Sequence, residues 1–132
     1  MSCPKNTRIL TVDDSVALLG LLKAQLASLG YKDVVIAKSG IEAVKILADS
    51  ATNRIPIQLI ISDWNMPELS GQDLLKLVRA MPTYAKVPFL MLTAEKDREK
   101  ILLAAAAGIS GYLIKPLEPA VLQTKLDQAW KP

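Results

Sequence analysis

The stretch that decides the fold is Ile57-Gln58-Leu59-Ile60-Ile61-Ser62-Asp63-Trp64-Asn65-Met66-Pro67. It opens as an apolar run rich in branched side chains, the pattern of a strand buried on both faces of a parallel sheet. The run ends on a carboxylate, Asp63, and Pro67 stops any regular continuation soon after. A charge placed where a buried strand emerges is costly unless something compensates it. Taken alone, an Asp in this position reads first as a turn former. Its neighbours in the fold change that reading.

Upstream, Arg8 to Val12 reads as a short strand ending in Asp13-Asp14. Ser15 is the N-cap of a helix over Val16–Leu29, with Leu18, Leu22, Leu26 and Leu29 toward the core and Gly30 as its stop. Val34–Ala37 is a second strand, and Ser39 caps a helix to about Ala48 with Ile41, Val44 and Leu47 inward. Asp49 to Pro56 is then a polar connection. Downstream, Ser70 and Asp73 resemble a capping box for a helix ending near Ala80. Val87–Leu92 is a fourth strand ending in Thr93, followed by a helix over Glu95–Ala107 that Gly108 closes. Gly111–Ile114 is a fifth strand leading into Lys115-Pro116, and Pro119 opens a last helix to about Trp130.

Five strands alternating with five helices predict an α/β fold: a doubly wound parallel sheet covered on both sides. In such open sheets the ligand crevice lies outside the carboxyl ends of the strands. Here those ends carry Asp13 and Asp14, Asp63, Thr93 and Lys115. Four polar sets at the ends of four apolar strands argue for a site.

Composition narrows the chemistry. The 132 residues suit one domain, 1–132, with 1–7 expected to be a mobile tail and Cys3 an incidental thiol within it. No apolar run approaches the length of a membrane span and Met1–Thr7 lacks the apolar segment of a signal peptide, so a cytoplasmic protein without membrane insertion is expected. There is no histidine, which excludes Ser-His-Asp and Cys-His catalysis and a histidine phosphocarrier role. With a single cysteine a zinc site is implausible, so a bound metal should be a hard cation on oxygen, Mg²⁺ before others. The net charge of +3 is scattered, with no basic run or interleaved aromatics, and does not support nucleic-acid binding.

Three converging carboxylates raise one another's pKa unless positive charge intervenes. A divalent cation on one side and Lys115 on the other would keep them ionised. Thr93 offers a hydroxyl and Lys115 a point charge, both suited to phosphoryl oxygens. A carboxylate can itself be the nucleophile of phosphoryl transfer, and with Mg²⁺ the reaction is mostly positioning and electrostatics.

At this point Asp13-Asp14, Asp63, Thr93-Ala94 and Lys115-Pro116 resemble the receiver domain of two-component response regulators. Ser62-Asp63-Trp64-Asn65-Met66-Pro67, Leu92-Thr93-Ala94-Glu95 and Ser110-Gly111-Tyr112 are similar to its CheY-like chemotaxis members. The resemblance spans roughly Arg8 to Ala129 and implies a flavodoxin/CheY-like sheet with strand order 2-1-3-4-5. It implies that Asp63 is the phosphoacceptor, taking its phosphoryl group from a sensor histidine kinase or a histidine phosphotransfer domain. It further implies Mg²⁺ on Asp14, Asp63 and the main-chain carbonyl of Asn65, with Asp13 acting through water, and Thr93 and Lys115 on the phosphoryl group. The domain would catalyse its own phosphorylation and dephosphorylation without being an enzyme in the ordinary sense.

By the same resemblance Tyr112 follows Thr93, changing a face edged by Lys96, Arg98 and Lys125 whose target presents an acidic segment. With no effector domain after the last helix, output is expected through surface binding, for example to a flagellar motor switch, by a monomer. A phosphorelay shuttle or phosphate sink shares the same site. A Mg²⁺-dependent phosphatase with an Asp nucleophile is a further alternative, although such hydrolases usually need a second acid where Asn65 stands. Two features depart from the pattern: the 49–56 connection is longer than a short turn, and Leu19-Gly20 stand where basic residues are common. Two local expectations complete the reading. The Lys115-Pro116 bond should be cis, since Lys115 must turn inward as the chain leaves its strand. Ala17, Gly20, Ala24 and Ala27 form a stripe of small residues on the first helix, where a phosphodonor's helix could dock.

Overall fold

Three serines start three helices by the same device. The side-chain oxygens of Ser15, Ser39 and Ser70 accept the N–H of Leu18, Glu42 and Asp73 at 3.3, 3.0 and 3.1 Å, satisfying donors that a helix leaves unpaired. The computed structural model describes residues 2–93 and 98–130, without the side chains of Arg98 and Lys100. Its elements run β1 (Ile9–Val12), α1 (Val16–Ser28), β2 (Val34–Ala37), α2 (Gly40–Thr52), β3 (Leu59–Asp63), α3 (Gly71–Ala80), β4 (Phe89–Thr93), α4 (Arg98–Ala107), β5 (Gly111–Ile114) and α5 (Pro119–Ala129). A single 3-10 turn, Pro82–Tyr84, joins α3 to β4. Gly30 and Gly108, at φ +99° and +98°, end α1 and α4 in the left-handed conformation expected of a helix stop.

The strands pair in parallel in the order β2-β1-β3-β4-β5, as expected. Register sets the crevice: Val12 lies opposite Ser62, Asp63 opposite Leu92, and Thr93 opposite Ile114. Asp13, Asp63, Thr93 and Lys115 therefore leave the sheet at one edge. Alternate strand residues feed two core layers. Ile9, Leu59, Ile61, Leu90 and Leu113 pack with Leu22, Leu26, Leu122 and Leu126 of α1 and α5. Leu10, Ile60, Phe89 and Met91 pack with Leu47, Leu74, Leu75, Val78 and Ala104 of α2, α3 and α4. The central strands β3 and β4 are buried at every position, the cost of parallel pairing with helices on both faces.

Several expectations are corrected. Residues 2–7 do not hang free: Cys3 and Thr7 are buried, and the Cys3 N–H donates to Asp127 Oδ1 on α5 at 2.8 Å. In α1 it is Leu19 that reaches the core, while Leu18 and Leu29 are half-buried. In α2, Ile41 is exposed, and Gly40, Ala43 and Leu47 form the inner side with Val44 at its margin. That helix also runs one turn past Ala48 to Thr52, so the first half of the long polar connection is helix. β1 and β4 begin at Ile9 and Phe89, slightly later than their apolar runs. The start of the helix placed at Glu95 lies outside the described residues, as does Lys96.

Candidate functional site

β3 delivers Asp63 into a buried corner made by two close approaches. Gly71, at the start of α3, donates its N–H to the Trp64 carbonyl at 2.9 Å. A Cβ on Gly71 would run into the Asp63 carbonyl oxygen, so only glycine lets α3 begin against this strand end. Between them the loop makes a tight turn in which Leu69 N–H donates to the Pro67 carbonyl at 2.7 Å and Glu68 sits at φ +68°. Gly40 plays a similar part for α2, since a Cβ there would meet Leu69.

Asp13 leaves β1 beside it. Its Oδ1 accepts the Ser15 N–H at 2.9 Å, which also orients the start of α1. Its Oδ2 is buried with no hydrogen-bond partner among the described residues. Lys115 Nζ donates to Asp63 Oδ1 at 3.1 Å and stands 4.0 Å from Asp13 Oδ2, close enough for ionic attraction but not for a hydrogen bond. Lys115 is held by its own N–H to the Thr93 carbonyl at 2.9 Å, and the Lys115-Pro116 peptide is cis, as expected. Asp14 is exposed at the crevice mouth. One carboxylate oxygen each from Asp13, Asp14 and Asp63 lies within 4.8 Å of the others.

The electrostatics follow from burial. Desolvation raises the Asp13 pKa to about 6 despite the Ser15 N–H, with Asp63 adding repulsion and Lys115 relieving part of it. Desolvation likewise pushes Asp63 up, opposed by the hydrogen bond and charge of Lys115 and by the Trp64 N–H. Three carboxylates and one ammonium leave two negative charges, the amount one divalent cation neutralises. The unpaired Asp13 Oδ2 supplies a buried oxygen that a cation or its bound water would satisfy. An all-oxygen set of this kind fits Mg²⁺ rather than a softer metal. Asp13, Asp14, Asp63 and Lys115 are thus brought together as the sequence predicted, with Thr93 buried at the adjoining strand end. Asn65 is exposed on the loop directly after Asp63.

Tyr112 lies half-buried on β5, and Lys125 Nζ stands 5.3 Å from the centre of its ring. Tyr112 and Thr93 share a small cavity of about 10 Å³ completed by Trp64, Met91, Ile101, Ala104 and Ile109. On the outer side a groove of about 270 Å³ runs from Tyr112 past Ile114, Pro116 and Val121 to Lys125. Arg98 opens α4, but its side chain is not described. Ala17, Gly20, Ala24 and Ala27 are all exposed on α1. Sequence reasoning missed Gly71 and the Ser15 N–H; the glycine directly after the Ser70 cap was the available signal for the first.

Known proteins bear on this arrangement. The response regulator receiver domain family matches residues 9–127. Chemotaxis protein CheY1 of Helicobacter pylori (strain J99) is 39% identical over 120 residues, covering 91% of this chain and 94% of that protein. Chemotaxis protein CheY4 of Vibrio cholerae superposes with a TM-score of 0.83 at 36% identity, covering 95% of this chain and 99% of the other. The receiver domain of a Pseudomonas aeruginosa sensor histidine kinase, solved with a magnesium ion coordinated in its active-site cleft, superposes with a TM-score of 0.80 at 31% identity, covering 94% of this chain and 97% of the other.

Proposed function

The chain belongs to the response regulator receiver domain family, in its CheY-like branch, and from that premise we propose that it is a cytoplasmic switch phosphorylated on Asp63 in Mg²⁺-dependent fashion. The observation that carries this reading is the Lys115–Asp63 contact at 3.1 Å inside a trio of acids whose deepest oxygen is unpaired. Asp63 acts as the nucleophile toward a phosphoryl group. Asp14, Asp63 and the Asn65 carbonyl would hold Mg²⁺, with Asp13 acting through water, and the metal would supply neutralisation of charge on the transferring group. Lys115 moves from the carboxylate to a phosphoryl oxygen, and Thr93 supplies a hydroxyl. The same residues position water to hydrolyse the acyl phosphate, releasing inorganic phosphate and restoring the Asp63 carboxylate.

The donor is a sensor histidine kinase or a histidine phosphotransfer domain. Its helices dock on the Ala17, Gly20, Ala24 and Ala27 stripe, which opens beside the site. A Cβ on Gly20 would meet nothing within 4 Å, so no contact inside the fold requires glycine there. Changing Gly20 or Ala24 to Glu should slow transfer from the cognate donor and leave labelling by a small phosphodonor unchanged. Equal rates in both assays would remove the docking face.

Output runs through Tyr112. When Thr93 is drawn to the phosphoryl group, Tyr112 turns inward into the space Thr93 vacates, reshaping the groove bordered by Ile114, Val121 and Lys125. An apolar segment carrying an acid fits that groove, with the acid toward Lys125. The chemotaxis relatives favour a motility target, such as the flagellar switch, over a relay shuttle. Phosphotransfer profiling against the kinases of the source cell, paired with a swimming assay of the deletion strain, separates the two. A normal swimming phenotype together with onward transfer to another histidine domain would favour the shuttle.

A further inference from the structure

Residues 2–7 close over the α1–α5 side of the sheet through polar groups that the phosphoryl chemistry does not use. Tyr31, fully buried just past α1, donates its hydroxyl to the Cys3 carbonyl at 2.9 Å and accepts from Gln123 Nε2 at 2.9 Å. Gln123 Nε2 also reaches Asp127 Oδ1 at 2.9 Å, the same oxygen that takes the Cys3 N–H at 2.8 Å. Lys5 Nζ donates to Gln123 Oε1 at 2.7 Å and lies 4.4 Å from the centre of the Tyr31 ring. The Cys3 side chain, 1% exposed, completes the cluster of Leu22, Leu26, Leu122 and Leu126. Burial pushes the Tyr31 phenol up to about 12, so it remains a donor at any physiological pH.

α5 is therefore gripped on two sides. Gln123 and Asp127 face residues 2–7, while Lys125, between them in the helix, covers the Tyr112 ring on β5. A displacement of α5 along β5 strains the bonds on the other side, because packed interfaces adopt discrete arrangements rather than yielding smoothly.

We propose that residues 2–7 are a releasable strap whose docking on α5 favours the arrangement in which Lys125 covers Tyr112, so that strap opening and switching of the β5–α5 face are linked. The linkage rests on the phosphorylation reading above; the strap does not. Linkage is reciprocal: whatever factor the strap imposes on switching, switching imposes on the strap.

Cys3 is the only cysteine, so its reaction with a thiol reagent reads strap opening directly. In the wild type, labelling should proceed slowly through a local opening and depend little on low urea, whereas global unfolding depends on it steeply. Tyr31→Phe removes both hydroxyl bonds with the ring kept, and Asp127→Ala removes the acceptor of the Cys3 N–H. Each should speed labelling by roughly fivefold or more. Mg²⁺ with beryllofluoride, its binding followed by Trp64 fluorescence, should speed Cys3 labelling in the wild type. By reciprocity, protein already labelled at Cys3, whose 1%-exposed site cannot close over the added group, should bind beryllofluoride more tightly than unlabelled protein by the same factor. Labelling that follows global unfolding in urea, or is unchanged in both variants, overturns the strap. Beryllofluoride that binds without altering Cys3 labelling, or with equal affinity for labelled and unlabelled protein, overturns the linkage alone. Failure of beryllofluoride to bind the wild type at all overturns the phosphorylation reading and the linkage with it, while the thiol result still decides the strap.

Discussion

At the scale of single residues, Asp13 concentrates the tension of the site. The residue is 2% exposed, clustered with the carboxylates of Asp14 and Asp63 and 4.0 Å from the Lys115 ammonium. Burial lifts its pKa from 3.8 to about 6. The folded protein thus binds this proton more tightly than the unfolded chain does. Without metal, the contribution of Asp13 to stability falls as pH rises from about 4 to about 6, and stays at its low value above that. Asp13→Asn should remove this slope and raise the metal-free melting temperature at pH 7. Metal binding needs the ionised form, so Mg²⁺ affinity, read by Trp64 fluorescence, should drop as pH falls through about 6. An affinity flat across that range would contradict the assignment. Gly71 shows the other side of residue-scale constraint. A Cβ there meets backbone, not a flexible side-chain tip, so Gly71→Ala should cost about 1–3 kcal/mol in urea melts and weaken Mg²⁺ binding by displacing Asp63. The acids and Lys115 were legible in the sequence because each ends an apolar strand. Gly71 was not singled out, because its need arises from the approach of α3 to the β3 end.

At the scale of elements, helix starts and stops were legible because they are local chemistry. Ser15, Ser39 and Ser70 cap where expected, and Gly30 and Gly108 stop where expected. Which face turns inward was harder. α1 carries leucine at 18, 19, 21, 22 and 26 with only Lys23 charged, so its sequence defines no polar face, and packing on the sheet selects Leu19 over Leu18. In α2, Gly40 must approach Leu69, and that approach turns Ile41 outward. The last turn of α2 was read as loop because Ser50, Thr52 and Asn53 look like turn residues, yet Ser50 is buried against the core. α1 also yields a stability prediction. With nothing within 4 Å of a Cβ at position 20, Gly20→Ala should stabilise the protein by about 1 kcal/mol in denaturant melts. A loss of stability instead would mean that the α1 surface is constrained by contacts the fold does not display.

At the scale of the whole molecule, the parallel sheet and the placement of the crevice followed from alternation and from the rule that open parallel sheets bind at their carboxyl edge, while the strand order came with the family resemblance. Residues 2–7 were misread because their partners, Tyr31, Gln123 and Asp127, lie far along the chain and carry no local pattern. Taken together, the sheet brings three acids and Lys115 to one edge, and α3 and β4 enclose Asp63. The central claim is that this edge makes Asp63 a phosphoacceptor. Its most direct test is to incubate the protein with a small phosphodonor, with and without Mg²⁺, and to locate the product by borohydride reduction and peptide mass spectrometry. The account predicts one acyl phosphate per chain, on Asp63, formed only with Mg²⁺ and absent from Asp63→Asn. Labelling independent of Mg²⁺, or surviving in that variant at another residue, would contradict it.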